Sequence, residues 1–280
     1  LLEALIPPSN AAILFSALTN VPVSQTFAAG VIPGLILLAF MVIVVLIKCR
    51  NIRNPEPASA AERWRSFLGA LPGLFTPIII LGGIYAGLMT PSESAAVAGV
   101  WAIVMGFFIY RELTFASLCL ALKETATITA IIFAIIATAT FLSVVLTYSQ
   151  IPQQIVSYFT DMGATFALFW VALAIICLLL GTFVEIVPVF YLTVPIFAAI
   201  TLSFNQSLLH LYVVFVAFAG IGMITPPVCV GIYTSASVIQ ENPAKAFREV
   251  PLFVGVGILY GILMILIPEA STWLPSLLTR

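Results

Sequence analysis

Long apolar stretches separated by short polar segments constrain the fold of this sequence more than any other feature. A helix needs roughly 20 apolar residues to cross about 30 Å of hydrocarbon. Charged residues make up only 8% of the 280 residues, whereas a soluble domain carries about 25%. The sequence therefore predicts an all-α integral membrane protein with several crossings. Six stretches have the length of a crossing, at residues 29–47, 71–89, 94–110, 126–148, 208–239 and 251–267.

Basic residues predict the orientation of these crossings, because short cytoplasmic loops collect Lys and Arg. Half of the Lys and Arg residues crowd one loop, at Lys48, Arg50, Arg53, Arg63 and Arg65. Nine of the ten basic residues lie on the cytoplasmic side if residues 164–202 enter and leave the membrane from the same face. This bias favours a re-entrant hairpin over a single crossing. Two full crossings preserve the same bias, but each arm is only about 17 residues long.

Short segments between the crossings mix charged and apolar residues. Those at 61–70, 113–124, 150–161 and 243–250 have the composition of amphipathic helices that lie in the membrane interface. For residues 150–161 an ordinary polar loop is an equal alternative. His210, the only histidine, lies near a predicted membrane surface and is interpreted as an interfacial residue rather than a proton relay.

Two double prolines stand at predicted bilayer depth. Ile6-Pro7-Pro8-Ser9 lies near the start of the chain and Ile224-Thr225-Pro226-Pro227 near its end, and Pro226 follows Pro7 by 219 positions. Each pair should break its helix, because proline removes a backbone donor. In the predicted orientation the two broken helices run in opposite directions, which predicts inverted repeats. Discontinuous helices in inverted repeats are typical of secondary transporters, although two kinked helices are the simpler alternative.

The repeat spacing also predicts the domain organisation. Residues 1–65 form the C-terminal part of repeat 1, and residues 66–280 form repeat 2. Repeat 2 divides into scaffold or arm helices at 66–163, the hairpin at 164–202, a broken helix at 208–240 and a last transmembrane helix at 251–268. Roughly 160 residues precede the second double proline in its repeat, against six before the first. The N-terminal part of repeat 1 is therefore predicted to be missing.

Polar residues at the hairpin tip form the strongest candidate site. A carboxylate at the centre of a spanning helix costs on the order of 3 kcal/mol, so Glu185 needs a partner, a cation or a wet cavity. A structural ion pair is the alternative. Gly181 and Thr182 are expected to break the helix, and exposed carbonyls with a hydroxyl can replace the water shell of sodium. Thr225 offers the same groups beside the second double proline.

Four motifs resemble the large membrane subunit of tripartite ATP-independent periplasmic (TRAP) transporters, the DctM-like family. They are Ile6-Pro7-Pro8-Ser9, the segment from Tyr85 to Ala96 that contains Thr90-Pro91-Ser92-Glu93, Leu180-Gly181-Thr182-Phe183, and Gly222-Met223-Ile224-Thr225-Pro226-Pro227-Val228. The resemblance implies an elevator-type fold like that of the ion transporter superfamily and a multi-pass protein of a bacterial or archaeal inner membrane. It also implies sodium-driven import of an organic acid, a small membrane subunit and a periplasmic substrate-binding protein as partners.

The resemblance also implies which residues form the sites. Substrate-binding residues would be Ser9, Asn10, Thr182, Glu185 and Thr225. Sodium would bind near Pro7, Pro8, Ser9, Gly181, Thr182, Gly222, Thr225, Pro226 and Pro227. The chain departs from the family pattern at Glu3, Glu185, Phe218, Cys229 and Gly231.

Three other functions compete with a sodium-coupled transporter subunit. A channel would need a continuous polar stripe along its pore, and the sequence has none. An intramembrane enzyme would need a convergent set of catalytic groups, yet Glu185 alone lies deep in a predicted membrane segment. A non-catalytic scaffold or partner subunit is favoured by the missing part of repeat 1. No enzyme activity is therefore expected, and the net charge of −1 gives no reason to expect a nucleic-acid partner.

Overall fold

The computed structural model describes residues 2–51, 58–161, 166–227, 230–238, 240, 242, 244 and 247–278, and these are helical or in turns, with no strand among them. The chain divides into two compact units, one of residues 1–47 and 135–280 and one of residues 48–134. The units do not coincide with the predicted repeats 1–65 and 66–280, which stay a prediction. The all-α fold is confirmed.

Helices α4 and α5, with the start of α6, make up the unit of residues 48–134. Their bounds are α4 Ala60–Tyr85, α5 Pro91–Val104 with a π-helical continuation Met105–Ile109, and α6 Phe115–Tyr148. The other unit contains α1 Leu2–Leu5, α2 Asn10–Thr19, α3 Val23–Lys48, α7 Ile151–Asp161, α8 Phe166–Phe183, α9 Ile186–Ser203, α10 Leu208–Ile224, α11 Val230–Val238, α12 Val250–Leu266 and α13 Glu269–Leu278.

Capping boxes start the first two helices of the 48–134 unit. The hydroxyl of Ser59 accepts from the Glu62 N–H, and the Glu62 carboxylate accepts from the Ser59 N–H at 2.7 Å. Thr90 and Glu93 repeat this arrangement at the start of α5. Such reciprocal bonds satisfy two N–H groups that have no partner inside the helix. Gly87, with φ +69°, lies in the turn between α4 and α5, and only glycine adopts this left-handed conformation without strain.

Two predicted interfacial helices are wrong as separate elements. Residues 61–70 belong to the long helix α4, and residues 115–124 belong to the long helix α6. α4 contains Pro72 and Pro77 but does not break, since membrane helices tolerate proline where other groups satisfy the freed carbonyls. α6 has 34 residues, about 51 Å at 1.5 Å per residue. It therefore exceeds the thickness of the hydrocarbon core.

The other two interfacial segments have different outcomes. Residues 151–161 form α7, a strongly amphipathic helix. The helix predicted at 150–161 is therefore confirmed, and the alternative of an ordinary polar loop is wrong. The segment at 243–250 lies partly outside the described residues. The last predicted crossing corresponds to α12. A further helix, α13, follows α12 after a bend of 58°, and the sequence interpretation missed this helix.

Helix α10 forms the core of its unit. Its residues from His210 to Gly222 are all buried, and α8, α9, α12, α13 and the short helices α1 and α2 all pack against it. A helix that is apolar on every side must be surrounded by other helices or by lipid. The elements packed on α10 therefore position every candidate site residue of this unit.

Helices α8 and α9 form an antiparallel hairpin. Phe166, at the start of α8, contacts Phe204 just beyond the end of α9, with ring centroids 5.5 Å apart. Phe169 and Phe197 meet one turn further in, at 6.2 Å. The two arms are joined through Val184 and Glu185. The predicted hairpin is thus a helical hairpin with 18 residues in each arm, while its re-entry from one face stays a prediction.

Six described helices are long and apolar enough to cross a membrane, and the bent pair α12 and α13 makes a seventh candidate. α3, α4, α5 with its continuation, and α6 match four of the predicted crossings. The two hairpin arms also have the required length and composition. The predicted stretch 208–239 is two helices, α10 and α11, because the chain breaks after Ile224. The prediction of a multi-pass helical membrane protein is confirmed.

His210 lies inside its unit rather than at its surface. Its side chain is 1% exposed, and its Nδ1 lies 2.9 Å from the Ser271 hydroxyl on α13. The imidazole edge packs on Trp170 of α8, with ring centroids 4.9 Å apart. Its Nε2 is buried and has no hydrogen-bond partner among the described residues. His210 therefore ties α8, α10 and α13 together, while its depth in the membrane stays a prediction.

We expect Ser271→Ala to destabilise the protein by about 1–3 kcal/mol, because both ring nitrogens of buried His210 would then lack a described partner. Thermal unfolding of the purified protein in detergent measures this change. Ser276→Ala is the matched control, since its hydroxyl is exposed and donates to Trp273 O within α13. Equal melting temperatures for the two variants would contradict the structural role of His210.

Candidate functional site

The first double proline separates α1 from α2. α1 ends at Leu5, and α2 begins at Asn10. Ser9 lies between them as the N-cap of α2, and its hydroxyl accepts from the Ala12 N–H at 3.3 Å. The same hydroxyl donates to the Ala4 carbonyl at 2.7 Å. Ser9 therefore connects the two half-helices across the break, as the paired prolines predict for a broken helix.

Tyr212 on α10 also reaches this break. Its hydroxyl donates to the Ala4 carbonyl at 2.7 Å, and its ring lies against Phe15 of α2, with centroids 5.4 Å apart. Sequence interpretation missed Tyr212, because a tyrosine within an apolar helix carries no signal of a partner 208 residues away. A buried tyrosine usually needs a partner for its hydroxyl, but this rule does not identify the partner.

The second double proline ends α10. Thr225 caps the helix in an extended conformation, its N–H donates to Gly222 O at 2.8 Å, and its hydroxyl donates to Ile221 O at 2.8 Å. Pro226 and Pro227 follow and are exposed. The peptide bond between them is cis, as is the bond between Pro7 and Pro8. The second predicted break is therefore present, and α11 resumes at Val230.

The end of the first hairpin arm packs directly on α10 near this second break. A Cβ added to Gly222 would lie 2.8 Å from Gly181 Cα and 2.6 Å from Leu178 O. A Cβ added to Gly181 would overlap the Ala219 carbonyl. Two helices approach this closely only where both lack side chains. The structure thus brings Gly181, Thr182, Gly222 and Thr225 to one end of the α8–α10 contact.

Gly181 and Thr182 do not break the helix, contrary to the prediction. α8 continues to Phe183, and the Thr182 hydroxyl donates to Leu178 O at 2.8 Å within the helix. The interruption lies one turn later, at Val184 and Glu185. Glycine serves close packing against α10 here, so its presence gave the wrong signal for a break.

Glu185 is exposed at the start of α9. It occupies the N-cap position, but its side chain makes no capping hydrogen bond. A carboxylate is favourable there, because the N-terminus of a helix carries a partial positive charge. The prediction that this carboxylate needs a partner, a cation or a wet cavity stays a prediction.

The candidate residues fall into two groups rather than one. Ser9 and Tyr212 lie at the first break, whereas Thr182 and Thr225 lie at the second. Tyr212 precedes Thr225 by 13 residues on α10, which is about 20 Å along a helix axis. Asn10 is exposed at the start of α2. The described chain alone therefore does not bring the predicted substrate ligands into one pocket.

Each broken helix is packed in a similar way by the long helix that follows it. Gly30 and Gly34 of α3 lie against Leu5 and Ile6 of the first broken helix. In the second, glycines with the same spacing of four residues pack on α10, Gly257 on Ile221 and Gly261 on Phe218. A glycine pair at this spacing lets two helices approach closely. The two breaks thus share their local packing.

Three departures from the family pattern lie within the described residues outside the hairpin tip. Phe218 is buried and packs on Gly261, so the aromatic ring fills space that the glycine leaves open. Glu3 is exposed on α1. Gly231 lies in α11, where an added Cβ would lie 3.6 Å from the Ile224 side chain. Cys229 lies outside the described residues.

No cluster of typical metal ligands competes with this site in the described part of the chain. The described residues contain no group of three His, Cys, Asp or Glu side chains that could hold a metal ion. A groove of about 390 Å³ between α8, α10 and α12 is lined by aliphatic side chains and Phe218. It offers no polar group to an organic acid. The breaks and the hairpin tip remain the candidate site.

Comparison with known proteins gives a family and a set of named relatives. A family model described as "Tripartite ATP-independent periplasmic transporter, DctM component" matches residues 2–270. The C4-dicarboxylate TRAP transporter large permease protein DctM of Pseudomonas aeruginosa is 34% identical over 277 residues, which cover 98% of this chain and 65% of the relative. The protein of the same name from Vibrio cholerae is 33% identical, over 99% of this chain and 66% of the relative.

A third relative has a different named substrate. The ectoine/5-hydroxyectoine TRAP transporter large permease protein UehC of Ruegeria pomeroyi is 31% identical, over 98% of this chain and 64% of its own length. The chain therefore spans about two thirds of the length of the relatives that it matches. These relatives are named as permease subunits of transporters, which confirms the prediction that the chain is not an enzyme.

We expect Gly222→Ala to destabilise the contact between α8 and α10 by about 1–3 kcal/mol, because the added methyl would overlap the backbone of Gly181 and Leu178. Yield and thermal stability of the purified protein measure the effect. Gly255→Ala in α12 is the control, since nothing lies within 4 Å of its added Cβ, and alanine favours a helix over glycine. A tolerated Gly222→Ala would show that the two helices do not meet at their backbones.

Proposed function

Because the chain belongs to the DctM family of TRAP transporter large permease subunits, we propose that it forms part of a sodium-coupled secondary transporter that imports an organic acid. The family membership, matched over residues 2–270, confirms the resemblance inferred from the sequence motifs. The apolar helices together with the family membership identify a multi-pass protein of the inner membrane. The coupling ion, the substrate and the partners are parts of the proposal.

The two helix breaks are the observation that carries this proposal. Each break adjoins a short apolar helix, α2 or α10, and each is closed by a side-chain hydroxyl that bonds to a backbone carbonyl. Irregular backbone at membrane depth is tolerated where it is buried in protein or lines a cavity. In secondary transporters such breaks bind substrate and coupling ions near the midplane. The pair of breaks therefore supports transport over a purely structural scaffold.

Sodium is proposed to bind beside the second break. Thr182 and Thr225 lie at the same end of the contact between α8 and α10. Each hydroxyl uses its hydrogen for a carbonyl one turn earlier, so its oxygen lone pairs stay available to a cation. Neutral oxygen ligands bind a cation weakly enough to release it. Ser9, with Pro7 and Pro8, is proposed to serve a second sodium position at the first break.

An organic acid is the proposed substrate class. The named substrates of the reported relatives are C4-dicarboxylates and ectoines, and each of these compounds carries at least one carboxylate. The N-termini of α2 and α9, at Asn10 and Glu185, adjoin the first break and the hairpin tip. Backbone N–H groups at helix N-termini bind anions. Asn10 is proposed to contact the substrate directly, whereas the Glu185 carboxylate would select for a substrate with a donor group.

The family also supplies the proposed partners. A TRAP large permease is expected to work with a small membrane subunit and with a periplasmic binding protein that delivers the substrate. The exposed apolar side chains of α3 and α6 are suited to contact with a membrane subunit or with lipid. No nucleic-acid partner is proposed.

We expect the full transporter containing this chain, reconstituted in vesicles with its partners, to accumulate an organic acid only when an inward sodium gradient is imposed. The gradient supplies the free energy for uphill uptake. Radiolabelled uptake of C4-dicarboxylates and ectoine, with potassium replacing sodium in the control, measures it. Uptake that is unchanged in potassium would sink the coupling proposal.

We expect Thr225→Val to raise the sodium concentration for half-maximal uptake about threefold to tenfold, because valine keeps the shape of threonine and removes one oxygen ligand. Thr193→Val is the matched control. The Thr193 hydroxyl makes the same kind of intrahelical bond, to Val189 O, in the buried interior of α9. Equal sodium dependence in the two variants would argue against a sodium ligand at Thr225.

A further inference from the structure

The Ala4 carbonyl loses its helical partner at the first break. In a continuous helix this carbonyl would accept from the backbone N–H four residues later, which is the position of Pro8. Proline has no N–H, so the carbonyl must find another donor. An unpaired carbonyl in a water-free interior costs several kcal/mol in free energy. The Ala4 carbonyl therefore needs a hydrogen-bond donor other than a backbone N–H of its own helix.

Two hydroxyls from different parts of the fold donate to the Ala4 carbonyl. Ser9 donates to Ala4 O at 2.7 Å from the other side of the break. Tyr212 donates to the same oxygen at 2.7 Å from the middle of α10. A carbonyl oxygen has two lone pairs, so both are used. The first break is thereby tied to the buried helix that leads into the second break.

The position of the Tyr212 hydroxyl is fixed by its surroundings. The side chain is 0% exposed, and its ring packs on Phe15 of α2. Phe15 also contacts Phe190 of the second hairpin arm, with centroids 6.4 Å apart. Water cannot replace a hydroxyl enclosed in this way. The bond to Ala4 therefore transmits the position of α10 to the break.

Tyr260 on α12 provides a contrast within the same unit. It is equally buried, but its hydroxyl has no hydrogen-bond partner among the described residues. Its ring contacts Phe40 of α3 instead, with centroids 6.4 Å apart. Burial of a tyrosine in this unit does not by itself produce a bond to the backbone. The contact of Tyr212 with Ala4 is thus specific.

We propose that Tyr212 is a positioning residue, whose hydroxyl holds the Pro7–Ser9 break in the conformation that binds sodium or substrate. This inference rests on the proposed function. Tyr212 does not contact the transported species, because its side chain is fully enclosed by protein. It acts through Ala4 and Ser9. A preorganised break binds its ion more tightly than one that must first be ordered.

Tyr212→Phe in the full reconstituted transporter tests this inference, with uptake measured against sodium concentration. We expect the sodium concentration for half-maximal uptake to rise about threefold to tenfold, with the maximal rate changed by less than about twofold. Tyr260→Phe is the matched control, and its sodium dependence should stay within about twofold of the wild type. The rise in melting temperature that sodium produces in the purified complex gives a second measurement, which should need correspondingly more sodium in Tyr212→Phe.

The outcomes separate this inference from the proposed function. A wild-type transporter with no sodium-dependent uptake overturns both. A sodium-dependent wild type in which Tyr212→Phe and Tyr260→Phe behave alike overturns the role of Tyr212 alone. A Tyr212→Phe complex that fails to assemble, while Tyr260→Phe assembles, identifies a purely structural residue and also overturns it.

Discussion

Proline cannot donate a backbone hydrogen bond, and in a lipid environment no water replaces the missing donor. Two double prolines therefore determine where polar groups gather in this chain. Ser9 and Tyr212 donate to the carbonyl that Pro8 leaves unpaired, and Thr225 closes the end of α10 against Ile221. Each break thus creates a small polar region within apolar helices. The candidate sites for ions and substrate are therefore assigned to these regions.

Helix α10 connects these regions because it is buried along its length and is contacted by helices from both ends of the chain. Glycines allow the closest contacts, from α8 through Gly181 and from α12 through Gly257 and Gly261. The relation between the hairpin tip, the second break and the following helix therefore depends on positions where no side chain is present. His210 holds the opposite end of α10 against α8 and α13.

Local rules predicted much of this arrangement from the sequence. Apolar length gave the membrane helices, and double prolines gave both breaks, since these features act within one segment. Helix ends were less predictable. The helices α4 and α6 extend through charged residues that were expected to lie outside the crossings. Gly181 allows close packing against α10 and does not break its helix. Tyr212 and His210 could not be assigned from the sequence, because their partners lie 208 and 61 residues away. Ser9 makes two hydrogen bonds and is buried, and its burial depends on the same long-range packing.

The contact between Gly181 and Gly222 has a thermodynamic consequence of its own. Neither residue has rotamers to lose, so bringing the two backbones together costs no side-chain conformational entropy. The contact also contains no flexible group that could take up a change in spacing. A small shift of α8 relative to α10 therefore reaches the backbone around Thr182 and Thr225 at full amplitude, with no intervening side chain to absorb it.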